Sequence, residues 1–312
     1  MLNIYKTKND ELVSLDTFEE GVWVSLVNPD EEELQKVGSQ LNIDNEYLRA
    51  ALDEEERARI EHDNDQFLIL VDVPVIDSDG NTNLYSTIPL GIILLKEAIV
   101  TICLKENTII KDFEKKRVKS FLTYFKTRFV FQILYRNSAQ YLQYLKFIDK
   151  ASSRIENELH KSMKNKELIQ LLKLEKSLVY FSTSLKSNEI VLEKLLKHDG
   201  IKKYTDDTDL LEDVIIENKQ AIEMANIYSS ILTGIMGAYA SVISNNVNIV
   251  MKFLASVTIV MAIPTMVASF FGMNVPMPAG LGEFRYAFLL VLGIAMLLSV
   301  VSAIVLARKR MF

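Results

Sequence analysis

The chain is predicted to fold as an α/β cytoplasmic domain, a long α-helical hairpin and a stalk helix, followed by two C-terminal transmembrane helices. Three observations predict it. Short β-prone runs alternate with turn signals over the first third of the chain. Neither Pro nor Gly interrupts the stretch from Phe113 to His198, where apolar residues recur at helical spacing. No Asp, Glu, Lys or Arg falls within Phe253 to Phe271 or within Tyr286 to Ala307.

Residues 1–112 carry the α/β signals. Val22-Trp23-Val24-Ser25-Leu26-Val27 reads as a strand, and Asp30-Glu31-Glu32-Glu33-Leu34 as an acid-rich helix start. Phe67 to Val73, Gly91 to Leu95 and Ala98 to Ile102 read as further strands, with a turn over Asp77-Ser78-Asp79-Gly80-Asn81. Residues 113–200 form the hairpin: Phe121, Tyr124, Phe125, Phe129, Leu134, Tyr141, Leu145 and Ile148 mark one helix. Leu168, Leu171, Leu172, Leu178 and Leu185 mark an antiparallel second, with the turn near Lys164-Asn165-Lys166.

After a polar break from Asp199-Gly200 to Asp209, a helical pattern runs without proline to Ile263, far beyond the usual length of a globular helix. Residues 206–271 are therefore read as one stalk helix continuous with the first membrane span. A helix needs about 20 mostly apolar residues to cross a hydrocarbon core, and this segment and residues 285–307 both supply them. Lys252 precedes the first span, and Arg308, Lys309 and Arg310 of the 308–312 tail follow the second. By the positive-inside rule both termini face the cytoplasm, residues 272–284 form a short external loop, and the chain sits in the inner (plasma) membrane. Met1 to Lys8 has no basic region followed by an apolar one, so no secretory signal is read and the N-terminal domain is expected in the cytosol.

Along the first span one face differs from the rest. Ser269, Thr265, Ala262, Thr258, Ala255, Met251 and Asn248 recur at alternating steps of four and three, and the step continues through Ser244, Ser241, Gly237, Gly234 and Ser230. All but Met251 are small or polar. A 3.5-residue period turns one helix face toward a common axis when parallel copies coil together. Small residues on such a face let helices approach closely; hydroxyls and an amide at membrane depth also suit a cavity. Pro264 removes one backbone hydrogen bond inside this span.

Composition excludes other classes. A formal charge of −6 is wrong for a protein that must displace counterions from nucleic acid. The single cysteine, Cys103, cannot form an intrachain disulfide, and its apolar setting suggests a buried thiol. No phosphate-binding glycine loop, Cys-x-x-Cys or His-Glu-x-x-His is present. Asp53-Glu54-Glu55-Glu56 reads as a solvated helix face, and His62, His160 and His198 as scattered surface residues. The chain is not read as an enzyme, and no organic cofactor is expected.

Ser269-Phe270-Phe271-Gly272-Met273-Asn274-Val275-Pro276-Met277-Pro278, placed between a long helix and a second span, resembles the signature of the CorA family of magnesium channels. The resemblance covers the whole architecture. It implies a homopentamer in the lipid bilayer with one central pore, Mg²⁺ as both the transported and the regulatory ion, and cobalt or nickel as further divalent cargo. It puts Asn274, supported by Gly272 and Met273, in a ring at the outer mouth. Asn248, Met251, either Leu254 or Ala255, and Thr265 would form the path below, with Thr258, Ala262 and Ser269 between and above. Asn248-Ile249-Val250-Met251-Lys252 resembles the family pattern at that point, while the proline is displaced by one position, so the register from Thr258 to Pro264 stays open. Regulatory sites between neighbouring subunits would fall on Asp77 and Asp213, with Asp79 and Glu217 as nearby substitutes. Zinc transport on the same architecture and a non-conducting two-span sensor or scaffold are the rival readings.

Overall fold

The computed structural model describes residues 1–63, 65–79, 82–162, 165–198, 205–273, 286–309 and 311. The chain forms two compact units, Met1–Ile235 and Met236–Phe312. In the first, seven strands make one sheet: β1 (Leu2–Lys8), β2 (Glu11–Leu15), β3 (Val22–Val27), β4 (Arg59–Asp63), β5 (Gln66–Asp79), β6 (Thr82–Leu94) and β7 (Ala98–Cys103). Their order is β2-β1-β3-β7-β6-β5-β4, antiparallel except for the parallel pair β3 and β7. Strands β3 and β7 are apolar except for Ser25 and Thr101, as suits strands whose two faces are both covered.

Val22, Val24 and Leu26 point to a core shared with α1 (Glu31–Leu41) and α2 (Asn45–Ala50). Trp23, on the opposite face, joins a core with α3 (Thr108–Glu114), α4 (Lys126–Ser162), α5 (Asn165–Lys197) and the start of α6 (Thr205–Phe271). The indole Nε1 of Trp23 donates to Thr101 Oγ1 at 2.9 Å, and its ring meets Tyr5, Phe113, Phe121 and Phe129. The helix expected at Asp30 is present, with a reciprocal capping box between Asp30 and Glu33.

Four expectations are corrected. Asp77, Ser78 and Asp79 are not in a turn: they pair with Leu84, Asn83 and Thr82 inside the β5–β6 ladder, and Gly80 and Asn81 lie outside the described residues. The hairpin does not begin at Phe113. Lys116 and Ser120 adopt left-handed φ values of 55° and 57°, which no α-helix accommodates, so Phe121, Tyr124 and Phe125 lie in a connection and α4 starts only at Lys126. The acidic run is a turn, held by the Asp53 carboxylate accepting from the Glu55 N–H at 2.9 Å. His62 and His198 are not scattered: His62 stacks on Phe67 at 3.9 Å and His198 meets both rings edge-on.

The long β5–β6 hairpin positions the helices. β4 pairs with β5 only as far as Leu70, and β7 pairs with β6 only from Leu90 to Leu94. Beyond those points the outward backbone groups of the hairpin meet no strand, which is where Pro74 and Pro89 are tolerated. Side chains of the helices satisfy those groups instead. The Asp72 carbonyl accepts from Asn188 Nδ2 (2.8 Å), Asn137 Nδ2 (2.9 Å) and Tyr141 Oη (3.2 Å), and the Asp72 N–H donates to Asn188 Oδ1 (2.9 Å). The Tyr85 N–H likewise donates to Ser177 Oγ at 3.1 Å. Burial pushes the Asp72 carboxyl above its ordinary range.

Helix α6 carries a line of buried residues, Leu211, Val214, Asn218, Ala221, Ala225 and Leu232, with steps of three, four and seven, and Leu211 and Val214 join the core that contains Val191, Leu192 and Leu195 of α5. Asn218 Nδ2 donates to the Leu185 carbonyl at 3.1 Å, and Ser182 Oγ donates to Asn226 Oδ1 at 3.1 Å. The second unit contains the remainder of α6 and α7 (Ala287–Arg308).

Asn188→Ala should lower unfolding free energy by about 1–3 kcal/mol, because it strands a buried N–H and removes one carbonyl partner. Asn226→Ala, at an exposed contact, should stay within about 0.5 kcal/mol. Trp23, the only tryptophan, reports on this unit by fluorescence during denaturant unfolding. Equal losses in the two variants would refute this role for Asn188.

Candidate functional site

Helices α6 and α7 both pass the length and apolarity requirements for crossing a membrane, and both expose their apolar side chains. Met261 is 70% exposed and Phe288 77%. Each large side chain left in water forgoes about 1.5–3 kcal/mol of burial, a loss that hydrocarbon removes.

From Lys252 onward the covered residues of α6 are Ser256, Val257, Val260, Ile263, Val267 and Phe271; Ser256 is fully buried. At about 100° per residue, the line through 256, 260, 263 and 267 lies roughly 150° around the helix from the line through 255, 258, 262, 265 and 269. The small and polar stripe is thus on the far side from the covered line. Asn248, Met251, Leu254, Ala255, Thr258, Ala262, Thr265 and Ser269 are all exposed in the single chain.

Three of the hydroxyls on this face turn back onto their own helix. Thr258 Oγ1 donates to the Leu254 carbonyl at 2.8 Å, Thr265 Oγ1 to the Met261 carbonyl at 3.4 Å and Ser241 Oγ to the Gly237 carbonyl at 3.1 Å. Their protons are committed, so the lone pairs are what the face offers outward. A Cβ added at Gly234 or at Gly237 would meet nothing within 4 Å. Packing within the chain therefore does not require these glycines, although each costs about 1 kcal/mol relative to Ala in a helix.

At the far end of α6, the Gly272 N–H donates to the Ala268 carbonyl at 2.9 Å, and a Cβ at Gly272 would lie 3.2 Å from that oxygen. Met273 is exposed. Asn274 lies outside the described residues, as does the loop through residue 285.

The acidic candidates are separate within one chain. Asp77 accepts a hydrogen bond from Ser86 Oγ at 2.6 Å and lies 3.6 Å from Lys105 Nζ, which also reaches Glu54. Asp213 is an exposed residue of α6. Among the described residues no group of three or more His, Cys, Asp or Glu side chains could hold a metal ion. Lys105 as the partner of Asp77 was not foreseen, since only the strand order brings the end of β7 beside β6, on whose other side β5 carries Asp77. The Cys103 thiol is buried and its pKa is pushed up to about 12 by that burial.

A sheet-and-helix unit followed by two exposed apolar helices, the first carrying a polar face, defines a two-span membrane protein. The chain belongs to the CorA-like Mg²⁺ transporter family, whose profile, described as "CorA-like Mg2+ transporter protein", matches residues 18–309. It is 29% identical over 263 residues to the cobalt/magnesium transport protein CorA of Methanocaldococcus jannaschii, a match covering 81% of this chain and 80% of that protein. The complete structure of the CorA magnesium transporter from the same organism superposes with a TM-score of 0.83 at 26% identity, covering 99% of this chain and 96% of that one. The cytoplasmic domain of ZntB from Vibrio parahaemolyticus, 11% identical, shares the fold, with a TM-score of 0.58 over 78% of this chain and 96% of that domain.

Gly237→Leu tests whether the stripe is a meeting face between copies. Light scattering of the detergent-solubilised chain should show a smaller assembly, with unfolding followed by Trp23 unchanged. An unaltered mass would exclude this face from assembly.

Proposed function

We propose that the chain is a passive, potential-driven magnesium channel, built as a homopentamer in which five copies of the α6 stripe surround one pore. The observation that carries this reading is the placement of the stripe: exposed, opposite the covered line of its own unit, with hydroxyl oxygens facing outward as acceptors. Mg²⁺ keeps its first-shell waters reluctantly exchanged and near-octahedral. Neutral oxygens that accept from those waters guide the hydrated ion without trapping it, whereas a ring of carboxylates would hold it longer.

In this reading Asn274 captures the hydrated ion at the outer mouth, and Asn248, Met251, Leu254 or Ala255, Thr258, Ala262, Thr265 and Ser269 line the way in. A negative interior supplies about 2.3 kcal/mol per charge per 100 mV, about 4.6 kcal/mol for a divalent ion, so no coupled energy source is required. Both termini are cytoplasmic, and internal Mg²⁺ closes the pore through Asp77 and Asp213 of neighbouring copies. Lys105 bears on this step: the ammonium now beside Asp77 must yield to the incoming ion, which makes closure weaker than an unpaired carboxylate would give.

In proteoliposomes with an imposed potential, Asn274→Ala should reduce Mg²⁺ influx at least tenfold while leaving the assembled mass unchanged. Zinc influx without magnesium influx in the parent protein would reverse the choice of ion. With millimolar Mg²⁺ inside the vesicles, Asp77→Asn and Asp213→Asn should each keep the pore conducting where the parent closes. Closure at the same internal Mg²⁺ in both variants would remove these residues from sensing.

A further inference from the structure

The end of α7 is pinned to α6 in the second unit. Ser256 Oγ lies 2.8 Å from the Lys252 carbonyl and 3.1 Å from the Met311 carbonyl. The Lys309 N–H donates to the Val305 carbonyl and the Met311 N–H to the Leu306 carbonyl, both at 3.1 Å, which satisfies the last carbonyls of α7. One buried serine therefore ties the turn of α6 that starts at Lys252 to the segment holding Arg308 and Lys309.

These three cations are exposed, and among the described residues none has a carboxylate partner. The contrast with the first unit is clear. There Lys6 pairs with Glu19 and Lys105 with Asp77 and Glu54. From Met236 onward the only acidic side chain in the sequence is Glu283, in the connection between the two helices, while Lys252, Arg285, Arg308, Lys309 and Arg310 are basic. Exposed apolar side chains flank the cations on both helices: Ile249 is 55% and Phe253 53% exposed on α6, Ile304 50% and Val305 47% on α7.

We propose that Lys252, Arg308 and Lys309 form a binding site for the phosphate of an anionic phospholipid headgroup, in the leaflet at that end of the spans. Clustered positive charge fits an anion, and the adjoining apolar side chains fit its acyl chains. A soluble anion would use only the first feature. Lysine and arginine stems lie along apolar surface while their heads reach the headgroup level, so three of them converge on one phosphate without burying charge. The inference rests on the chain being a membrane protein and is independent of what it conducts.

Native mass spectrometry of the full chain, titrated with dioctanoyl phosphatidylglycerol and with dioctanoyl phosphatidylcholine, tests it. The anionic lipid should bind at least tenfold more tightly, with inorganic phosphate failing to compete at equal concentration. The variant carrying Lys252→Gln, Arg308→Gln and Lys309→Gln together should bind both lipids alike, while Lys111→Gln with Lys115→Gln, in the first unit, should keep the preference. Asn274→Ala should also keep it, which separates this site from the conduction reading. Equal binding of the two lipids by the parent, a preference surviving in the triple variant, or displacement by inorganic phosphate would each overturn the proposal. Unchanged Trp23-monitored unfolding checks the first unit of the triple variant, and an unchanged assembled mass in the same spectra checks the second.

Discussion

The first unit depends on how an unpaired stretch of backbone is satisfied. The β5–β6 hairpin outruns its neighbours on both sides, so its outer N–H and C=O groups would be buried under α4 and α5 with no partner, at a cost of about 1–3 kcal/mol each. Asn188 answers this at Asp72 with both ends of one amide, and Asn137 and Tyr141 add to the same carbonyl. A hydrophobic contact could slide along the ribbon; a two-point amide bond cannot. Its register fixes α5 on the sheet, and α5 in turn offers the Leu185 carbonyl to Asn218 of α6.

Helix α6 then serves two environments with one period. In the first unit the 3–4 spacing selects Leu211, Val214, Asn218, Ala221 and Ala225 for burial. In the second, one such line is covered at Ser256, Val260, Ile263 and Val267, and another, on the far side, carries alanines and hydroxyls. Pro264 lies inside this segment without ending it: the helix runs on to Phe271. The free carbonyl it leaves at Val260 belongs to the covered side of the helix.

What was legible in the sequence is what local chemistry decides. Both spans show as absences of charge, the Asp30 capping box as a spacing of three, and the stripe as a period within one helix. The fold class followed from these, and membership of the CorA-like family agrees with it. Strands β1, β2 and β4 were not seen, because Lys6, Lys8, Glu11 and His62 dilute the apolar signal in short segments. β6 was read too short because Pro89 normally argues against a strand, and only the early end of β7 makes that proline harmless. The break after α3 was hidden because Lys116 and Ser120 take left-handed geometry without glycine to announce it. Lys105 lies 28 positions from Asp77 and His198 136 from His62, distances that no local pattern spans.

The back-bonded hydroxyls have one more effect. A relay of protons along water needs groups that can release one proton while taking up another, and it stalls wherever the donor is already committed. Thr258 and Thr265 each hold their proton against a carbonyl one turn earlier. In the proposed pore, water passing them would be oriented in one sense at each threonine, with hydrogens toward the helix, and a hopping proton would have to break a hydroxyl-to-carbonyl bond to continue. In the proposed pore the two threonines that would offer oxygen to a cation's hydration shell would thus also interrupt the wire by which acid could leak.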